Sequence, residues 1–160
     1  MEALIQVPTL GGIVLIDERK PDLSYRLLEQ RSRRRKKVLC ISREPPERIA
    51  RRHPMELAEH YWLITGDGGR SVSPFRLDAV YRLIARFLDE NAQGTVLLDG
   101  VELLMIMNSY EGVRDLLFAL HELFRRTQAD CVVPIDTRTL TTKELAELRD
   151  AFPMVRGNGH

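Results

Sequence analysis

The residues with the clearest chemical pattern lie past the middle of the chain, where an apolar run ends in acids. The segment Thr95-Val-Leu-Leu-Asp-Gly-Val-Glu102 is typical of a buried strand that carries Asp99 at its end, with Glu102 shortly after it. Open α/β sheets bind nucleotides and metals beyond the carboxyl ends of their strands. Asp99 and Glu102 are therefore ligand-binding candidates, and Arg43, which follows a second strand-like run, is a third.

Two interpretations of Asp99 remain open from the sequence. Its carboxylate binds a ligand or metal, or it accepts hydrogen bonds from the turn formed by residues 100–103 and caps that turn. Nucleotide-binding strands of this kind are normally accompanied by a Gly-x-x-x-x-Gly-Lys-Ser/Thr loop, and the 160 residues contain none. No Gly-x-Ser-x-Gly, His-Glu-x-x-His or paired Cys/His signature occurs either. The sequence thus gives enzymatic activity no support and identifies no catalytic residue, cofactor or metal ligand.

A run of positive charge is the second pattern. Six of the seven residues from Arg31 to Lys37 are cationic: Arg31, Arg33, Arg34, Arg35, Lys36 and Lys37. Such a run binds nucleic-acid phosphates or another anion, or it is the solvated end of a helix, where cations interact favourably with the helix dipole. No aromatic residue is interleaved to stack on bases, which favours the second interpretation. Arg43, Arg48, Arg51 and Arg52 extend the patch if the second strand ends beside them.

Smaller signals concern glycine and cysteine. The loop Gly66-Asp-Gly-Gly-Arg70 is a turn, or alternatively a backbone nest for an anion. The two cysteines, Cys40 and Cys131, lie in apolar stretches without metal-ligand spacing, so we predict that both are reduced core residues.

Composition limits the class of protein. Hydrophobic residues make up 44% and charged residues 29%, and a net charge of +1 creates no overall field that attracts nucleic acid or membrane. The apolar runs are shorter than the roughly 20 residues that span a bilayer, and residues 1–20 show no secretion signal. We therefore expect a soluble, cytoplasmic protein that folds as a single α/β domain over residues 1–160.

Strand-like and helix-like segments alternate along the chain, which predicts a parallel sheet covered by helices. Helices are predicted to begin at Pro21-Asp22, at Pro45, at Ser73-Pro74, at Asn108 as a cap and at Thr141 as a capping box, and the end of the chain from Arg156 is predicted to fray. Pro134 suggests that its strand ends early or lies near an edge. The predicted strands are Gly12 to Ile16, Val38 to Ser42, His60 to Ile64, the run that ends at Asp99, and Cys131 to Ile135.

One apolar residue, Phe118, lies outside the predicted core. The helix from Ser109 to Thr127 directs Val113 to Phe124 inward at three-four spacing, and Phe118 lies off that stripe. Phe118 is therefore a candidate for an interface in a homodimer. Alternatively, it packs under the loop around Tyr110.

Short segments along almost the whole chain carry a further signal. They are Gly12 to Ile16, Ser24-Tyr25, Val38 to Pro46, Trp62-Leu63, Ser73-Pro74, Val96 to Leu104, Ile135 to Leu140 and Glu144-Leu145. Together these segments resemble the family known as domain of unknown function 835. The resemblance implies a degenerate relative of RecA-like ATPases such as the circadian clock proteins, with the acid-tipped strand retained and the phosphate loop lost. Because such domains are often fused to sensor or response-regulator domains, it also implies a regulatory role.

The sequence therefore predicts a three-layer α/β/α sandwich with a mostly parallel sheet, RecA-like or Rossmann-like. The leading functional hypothesis is a non-catalytic signalling or regulatory module that acts through contacts with another regulatory protein or with a second copy. The alternative is a nucleotide- or nucleic-acid-binding regulator that uses Asp99, Glu102 and the arginines around Arg43. No role at a membrane is expected.

Overall fold

A parallel sheet of seven strands, in the order β4-β3-β2-β5-β6-β1-β7, forms the centre of the computed structural model, which describes residues 11–66 and 69–157. None of the helices in these residues is long and apolar enough to cross a bilayer. The predicted α/β sandwich with a parallel sheet is confirmed. The strands are β1 Gly12–Asp17, β2 Val38–Ser42, β3 Ala58–Leu63, β4 Ser71–Val72, β5 Thr95–Leu98, β6 Asp130–Ile135 and β7 Met154–Arg156.

Helices cover both faces of this sheet, because its central strands are apolar on both sides. Along β1, Ile13 and Leu15 belong to the larger core cluster, whereas Val14 packs in a separate cluster with Leu27 of the first helix. The helices are α1 Leu23–Arg33, α2 Pro46–Arg52, α3 Leu77–Glu90, α4 Val101–Met107, α5 Tyr110–Arg125 and α6 Thr142–Ala151, and residues Thr137–Thr139 form a 3-10 turn. Helices α1 and α2 pack on one face of the sheet. The other face is covered by the buried sides of α3, α4, α5 and α6.

Two predicted helix starts are wrong, one by three residues and the other by one. Helix α3 begins at Leu77, because the Ser73 hydroxyl accepts from the N–H of Phe75 and holds a separate turn first. The cap of α5 is Ser109, whose Oγ accepts from Gly112 N at 2.9 Å. The amide of Asn108 instead donates to carbonyls of Pro74 and Leu104, and so fixes the end of α4.

The prediction that Pro134 marks an early end or an edge is also wrong. Strand β6 lies between β5 and β1, and Pro134 pairs with Ile16. The N–H of Asp130 donates to Gly94 on the β5 side, so by alternation the nitrogen of Pro134 faces that side too. Pairing with β5 ends at Val132, and the missing N–H therefore costs no ladder bond.

The last residues that the structure describes are part of the sheet. Met154–Arg156 pairs with β1 in parallel, and the N–H of Gly157 donates to the carbonyl of Asp17 at 2.9 Å. The expectation that the chain frays from Arg156 is therefore wrong for Arg156 and Gly157, while residues 158–160 lie outside the described part.

Two local predictions are confirmed. Thr141 and Glu144 form a capping box, in which each side chain accepts from the backbone N–H of the other. Cys40 and Cys131 are free and fully buried, and burial raises the pKa of both thiols.

Candidate functional site

The candidate site lies where the strand connections diverge. After β2 the chain moves to β3 on one side, and after β5 it moves to β6 on the other. Such a switch point leaves a crevice beyond the carboxyl ends of the two strands, which is where ligands bind in open α/β sheets. The structure places Asp99 on one side of this crevice, Ser42 and Arg43 on the other, and Tyr25 of α1 across it.

Asp99 is held by two side chains. The Tyr25 hydroxyl donates to Asp99 Oδ2 at 2.9 Å, and Nη2 of Arg43 lies 3.5 Å from Asp99 Oδ1. The same tyrosine hydroxyl lies within hydrogen-bond distance of Ser42 Oγ, at 3.1 Å. The structure thus brings together two predicted residues, Asp99 and Arg43, and adds Tyr25 and Ser42, which sequence reasoning missed.

The alternative that Asp99 caps the following turn is wrong. Its carboxylate is engaged by Tyr25 and Arg43, and α4 follows Gly100 without a side-chain cap. Gly100 has φ +137°, and a Cβ there would lie 2.8 Å from Arg43 Cγ. Glycine is needed here because it tolerates this backbone angle and leaves room for the arginine stem.

Burial dominates the electrostatics of this carboxylate. Asp99 is 3% exposed, and burial raises its pKa to about 6, although the charge of Arg43 and the hydrogen bond from Tyr25 act in the opposite direction. Burial also raises the pKa of the Tyr25 phenol, which therefore remains a donor at neutral pH. Asp99 consequently titrates close to the physiological range.

Glu102 makes its hydrogen bond elsewhere, although its negative charge also raises the pKa of Asp99. Its Oε2 accepts from the backbone N–H of Asp136 at 2.8 Å, and so ties α4 to the loop after β6. Asp136 in turn forms an ion pair with Arg138, which lowers the pKa of its carboxyl. Glu102 thus links helix α4 to the loop that follows β6.

A second carboxylate, that of Glu18, fills the N-terminus of α1. Its Oε1 accepts from the N–H of Leu23 at 2.5 Å and of Asp22 at 3.1 Å. Its Oε2 accepts from the N–H of Ser24 at 3.2 Å and from the Ser24 hydroxyl at 2.7 Å. These are the groups that a helix N-terminus offers to a phosphate in a strand–loop–helix unit.

Glu18 is enclosed as well as hydrogen-bonded. It is 2% exposed, and a Cβ added to Gly157 would overlap its side chain. The sequence contained little sign of this arrangement, because Glu18 precedes the helix by five residues and does not have the spacing of a capping box. Glu18 was therefore missed.

The basic run divides into two groups of residues. Arg31 pairs with the buried Asp130 at 3.3 Å, and Arg33 pairs with Glu29 one turn earlier in α1. In the part of the chain that the structure describes, Arg34, Arg35, Lys36 and Lys37 have no carboxylate within ion-pair distance.

The arginines around Arg43 do not extend this run, contrary to the prediction. Lys37 precedes β2 and Arg43 follows it, so the two residues lie at opposite ends of this strand. Arg48 and Arg52 both pair with Glu44 beside Arg43. The positive charge is therefore distributed over two separate surfaces.

The two remaining candidates from the sequence are the interface residue Phe118 and the loop from Gly66 to Arg70. Phe118 is 42% exposed, and its ring packs against Phe152 with centroids 5.4 Å apart, so its partner within the chain is the end of α6. The loop from Gly66 to Arg70, for which the sequence indicates a turn or alternatively an anion nest, includes Asp67 and Gly68, which lie outside the described residues.

Comparisons with known proteins give a family and a fold. A family model described as "Protein of unknown function (DUF835)" matches residues 17–152. A crystal structure of a KaiC-like protein from the hyperthermophilic archaeon Pyrococcus horikoshii OT3 is similar, with a TM-score of 0.58 and 12% identity over 78% of this chain. The chain spans 62% of the length of that protein. No curated protein matches. The fold is RecA-like, as predicted.

Proposed function

The chain belongs to the family of proteins of unknown function DUF835, and on that premise we propose that it is a non-catalytic regulatory module that acts through protein contacts. Its phosphate-binding position is occupied by its own Glu18 carboxylate. The domain therefore keeps the architecture of a nucleotide-binding fold. It acts by binding other proteins at its surface instead of by binding a nucleotide.

The Glu18 carboxylate is the observation that carries this proposal. Three backbone N–H groups and one hydroxyl already bind it, in a place that is almost closed to solvent. A phosphate would have to displace a buried carboxylate together with its hydrogen bonds, or share the site with it against like-charge repulsion. Neither route allows tight nucleotide binding.

The state of Asp99 supports the same conclusion. In nucleotide-hydrolysing folds an acid at this strand end interacts with Mg²⁺. Here Arg43 lies beside the carboxylate and Tyr25 donates to it, so a divalent cation would meet a positive charge and an occupied oxygen. The pair holds β2, β5 and α1 together at the switch point.

Nucleic-acid binding is a second candidate, favoured by one specific observation. Arg35, Lys36 and Lys37 line a cavity of about 450 Å³ together with the turn from Asn91 to Gly94. Arg35 has φ +64°, a strained backbone angle for a residue with a side chain. Unpaired cations around a concave surface are suited to phosphate groups.

Calorimetry separates the two candidates. We expect no heat of binding from Mg-ATP or Mg-ADP titrated into the wild-type protein, and no ATP hydrolysis above background. Saturable nucleotide binding that Asp99→Asn abolishes would overturn the proposal. Binding of an oligonucleotide that weakens in Arg35→Gln/Lys36→Gln/Lys37→Gln, but not in Arg48→Gln/Arg51→Gln/Arg52→Gln, would establish the second candidate instead.

A further inference from the structure

A cleft between strand β4 and helix α3 is not used by the site described above. It has a volume of about 460 Å³ and combines an apolar floor with a basic rim. Val72, Ala79 and Leu83 contribute the apolar surface, and the rim consists of Arg76, Arg82 and Arg86. A surface of this kind is suited to a ligand that carries both apolar groups and negative charge.

The arginines of the rim have more positive charge than their contacts neutralise. Asp78 pairs with both Arg76 and Arg82, each at 2.9 Å. The guanidinium of Arg86 donates to the hydroxyl of Tyr61 at 2.8 Å, and the longer-range charges of Glu59 and Glu90 also act on it. Three cations in the cleft thus share one directly paired carboxylate.

The backbone beside the cleft is the edge of the sheet. Trp62 N donates to the carbonyl of Arg70 and Ile64 N to that of Val72, so the backbone groups of Val72 face β3. By alternation, the carbonyl of Ser71 and the N–H of Ser73 face outward. Among the described residues neither has a hydrogen-bond partner, and the two are spaced as one more parallel strand requires.

We propose that an extended segment of a partner protein, with acidic side chains at alternate positions, adds to the sheet beside β4. Its backbone pairs with Ser71 and Ser73, and its acidic side chains contact Arg76, Arg82 and Arg86. Strand addition combines main-chain hydrogen bonds for affinity with side-chain pockets for specificity, and this edge offers both. The inference deepens the proposed function, because it rests on action through protein contacts.

Other occupants fit less well. Two copies of this chain that paired through β4 would bring the same arginines against each other, and like charges disfavour such a contact. A nucleic acid supplies phosphates for the rim but no peptide groups for the carbonyl of Ser71 and the N–H of Ser73. The acidic extended segment satisfies both the charge and the exposed backbone.

Fluorescence anisotropy with short labelled peptides tests the proposal. The probe is a peptide in which Asp alternates with Val, and its controls are a peptide that alternates Lys with Val and an Asp-Val peptide with N-methylated backbone amides. We expect saturable binding of the first peptide alone. Arg82→Glu/Arg86→Glu should weaken it by about tenfold or more, whereas the matched control Arg125→Glu/Arg126→Glu at the C-terminal end of α5 leaves it unchanged.

Several results would overturn the proposal. They are the absence of saturable binding, equal binding of the N-methylated peptide, and equal binding of a thymidine oligonucleotide of the same charge. The last two would show attraction by charge without strand addition. Circular dichroism confirms that each variant is folded. Parallel titrations with Mg-ATP and with the oligonucleotide described above test the proposed function separately, because that function fails if either of them binds in the way described there.

Discussion

The hydroxyl of Tyr25 donates to the carboxylate of Asp99 at 2.9 Å, although 74 residues separate them in the chain. The first helix is thereby linked to the end of a central strand through one buried hydrogen bond. Because Arg43 lies on the other side of the same carboxylate, a single acid connects three elements at the switch point of the sheet. The predictions below begin with this acid.

Asp99→Asn should change how stability depends on pH. Burial raises the pKa of the folded Asp99 to about 6 from 3.8, so between these values the folded state binds more protons than the unfolded state. The wild-type free energy of unfolding should therefore fall by about 2–3 kcal/mol relative to the variant as pH rises from 4 to 7. Urea denaturation at several pH values measures this difference.

Asp136→Asn is the control of opposite sign. Arg138 lowers the pKa of Asp136, so that carboxylate stabilises the fold above its unfolded pKa and loses this contribution as pH falls. The wild type should thus gain stability relative to this variant as pH rises. Identical pH profiles for the two variants would contradict the assignment of the shift to Asp99.

Glu18→Ala should open the N-terminus of α1 to external anions. Loss of the carboxylate removes the hydrogen bonds to residues 22–24 and should lower the free energy of unfolding by about 2 kcal/mol. Inorganic phosphate should then raise the melting temperature of the variant and leave the wild type unchanged, with sodium chloride at matched ionic strength as the control. Equal responses of the two proteins to phosphate would contradict the interpretation that the Glu18 carboxylate closes the N-terminus of α1 to external anions.

Gly157→Ala should be destabilising only while Glu18 is present. The added methyl group overlaps the glutamate side chain, so we expect a cost of about 1–3 kcal/mol in the wild type. In the Glu18→Ala background the methyl group enters vacated space, and the cost should largely disappear. A double-mutant cycle by chemical denaturation measures this coupling, and additive effects would show that the two residues do not interact.

Arg31→Gln should destabilise the protein far more than Arg34→Gln. Asp130 is 2% exposed, and loss of Arg31 leaves its charge without an ion-pair partner, which should cost about 2–4 kcal/mol. Arg34 is exposed, and its replacement should change stability by less than about 0.5 kcal/mol. Similar melting temperatures for the two variants would show that Arg31 is as dispensable as the rest of the basic run.

We propose from the partial exposure of Phe118 that its ring lies in the interface of a homodimer. Phe118→Glu should then dissociate that dimer into monomers. Light scattering at micromolar concentration should give a dimeric mass for the wild type and for Phe118→Leu, and a monomeric mass for Phe118→Glu. Because the ring also contacts Phe152, melting temperatures must show that the variant is folded. A monomeric mass for the wild-type protein would contradict the proposed homodimer.

Much of the fold could be predicted from apolar periodicity. The central strands and the inward face of α5 are long enough for their spacing to be recognised, and the residues that α5 buries lie on the predicted stripe from Val113 to Phe124. Strands β4 and β7, with two and three residues, were missed because so short a segment shows no alternation. Their pairing is decided by neighbouring strands that the local sequence does not contain.

The candidate site could be predicted only in part. Asp99 was found because it ends an apolar strand, and Arg43 because it follows another. Tyr25, Ser42 and Glu18 become functional candidates only through contacts made in the folded chain, across 74 residues in the case of Tyr25. Glu102 shows the reverse case, since its position near Asp99 in sequence did not bring it into the same network.

The first strand has consequences for how the chain is made. In the described part, β1 pairs with β6 and β7, which are encoded more than a hundred residues later. A growing polypeptide that leaves the ribosome in order therefore exposes the apolar segment Gly12–Asp17 until the last third of the chain has been synthesised. Such long-range pairing slows folding, and an unpaired apolar strand invites aggregation. Translation speed and chaperone supply should therefore influence the yield of this protein.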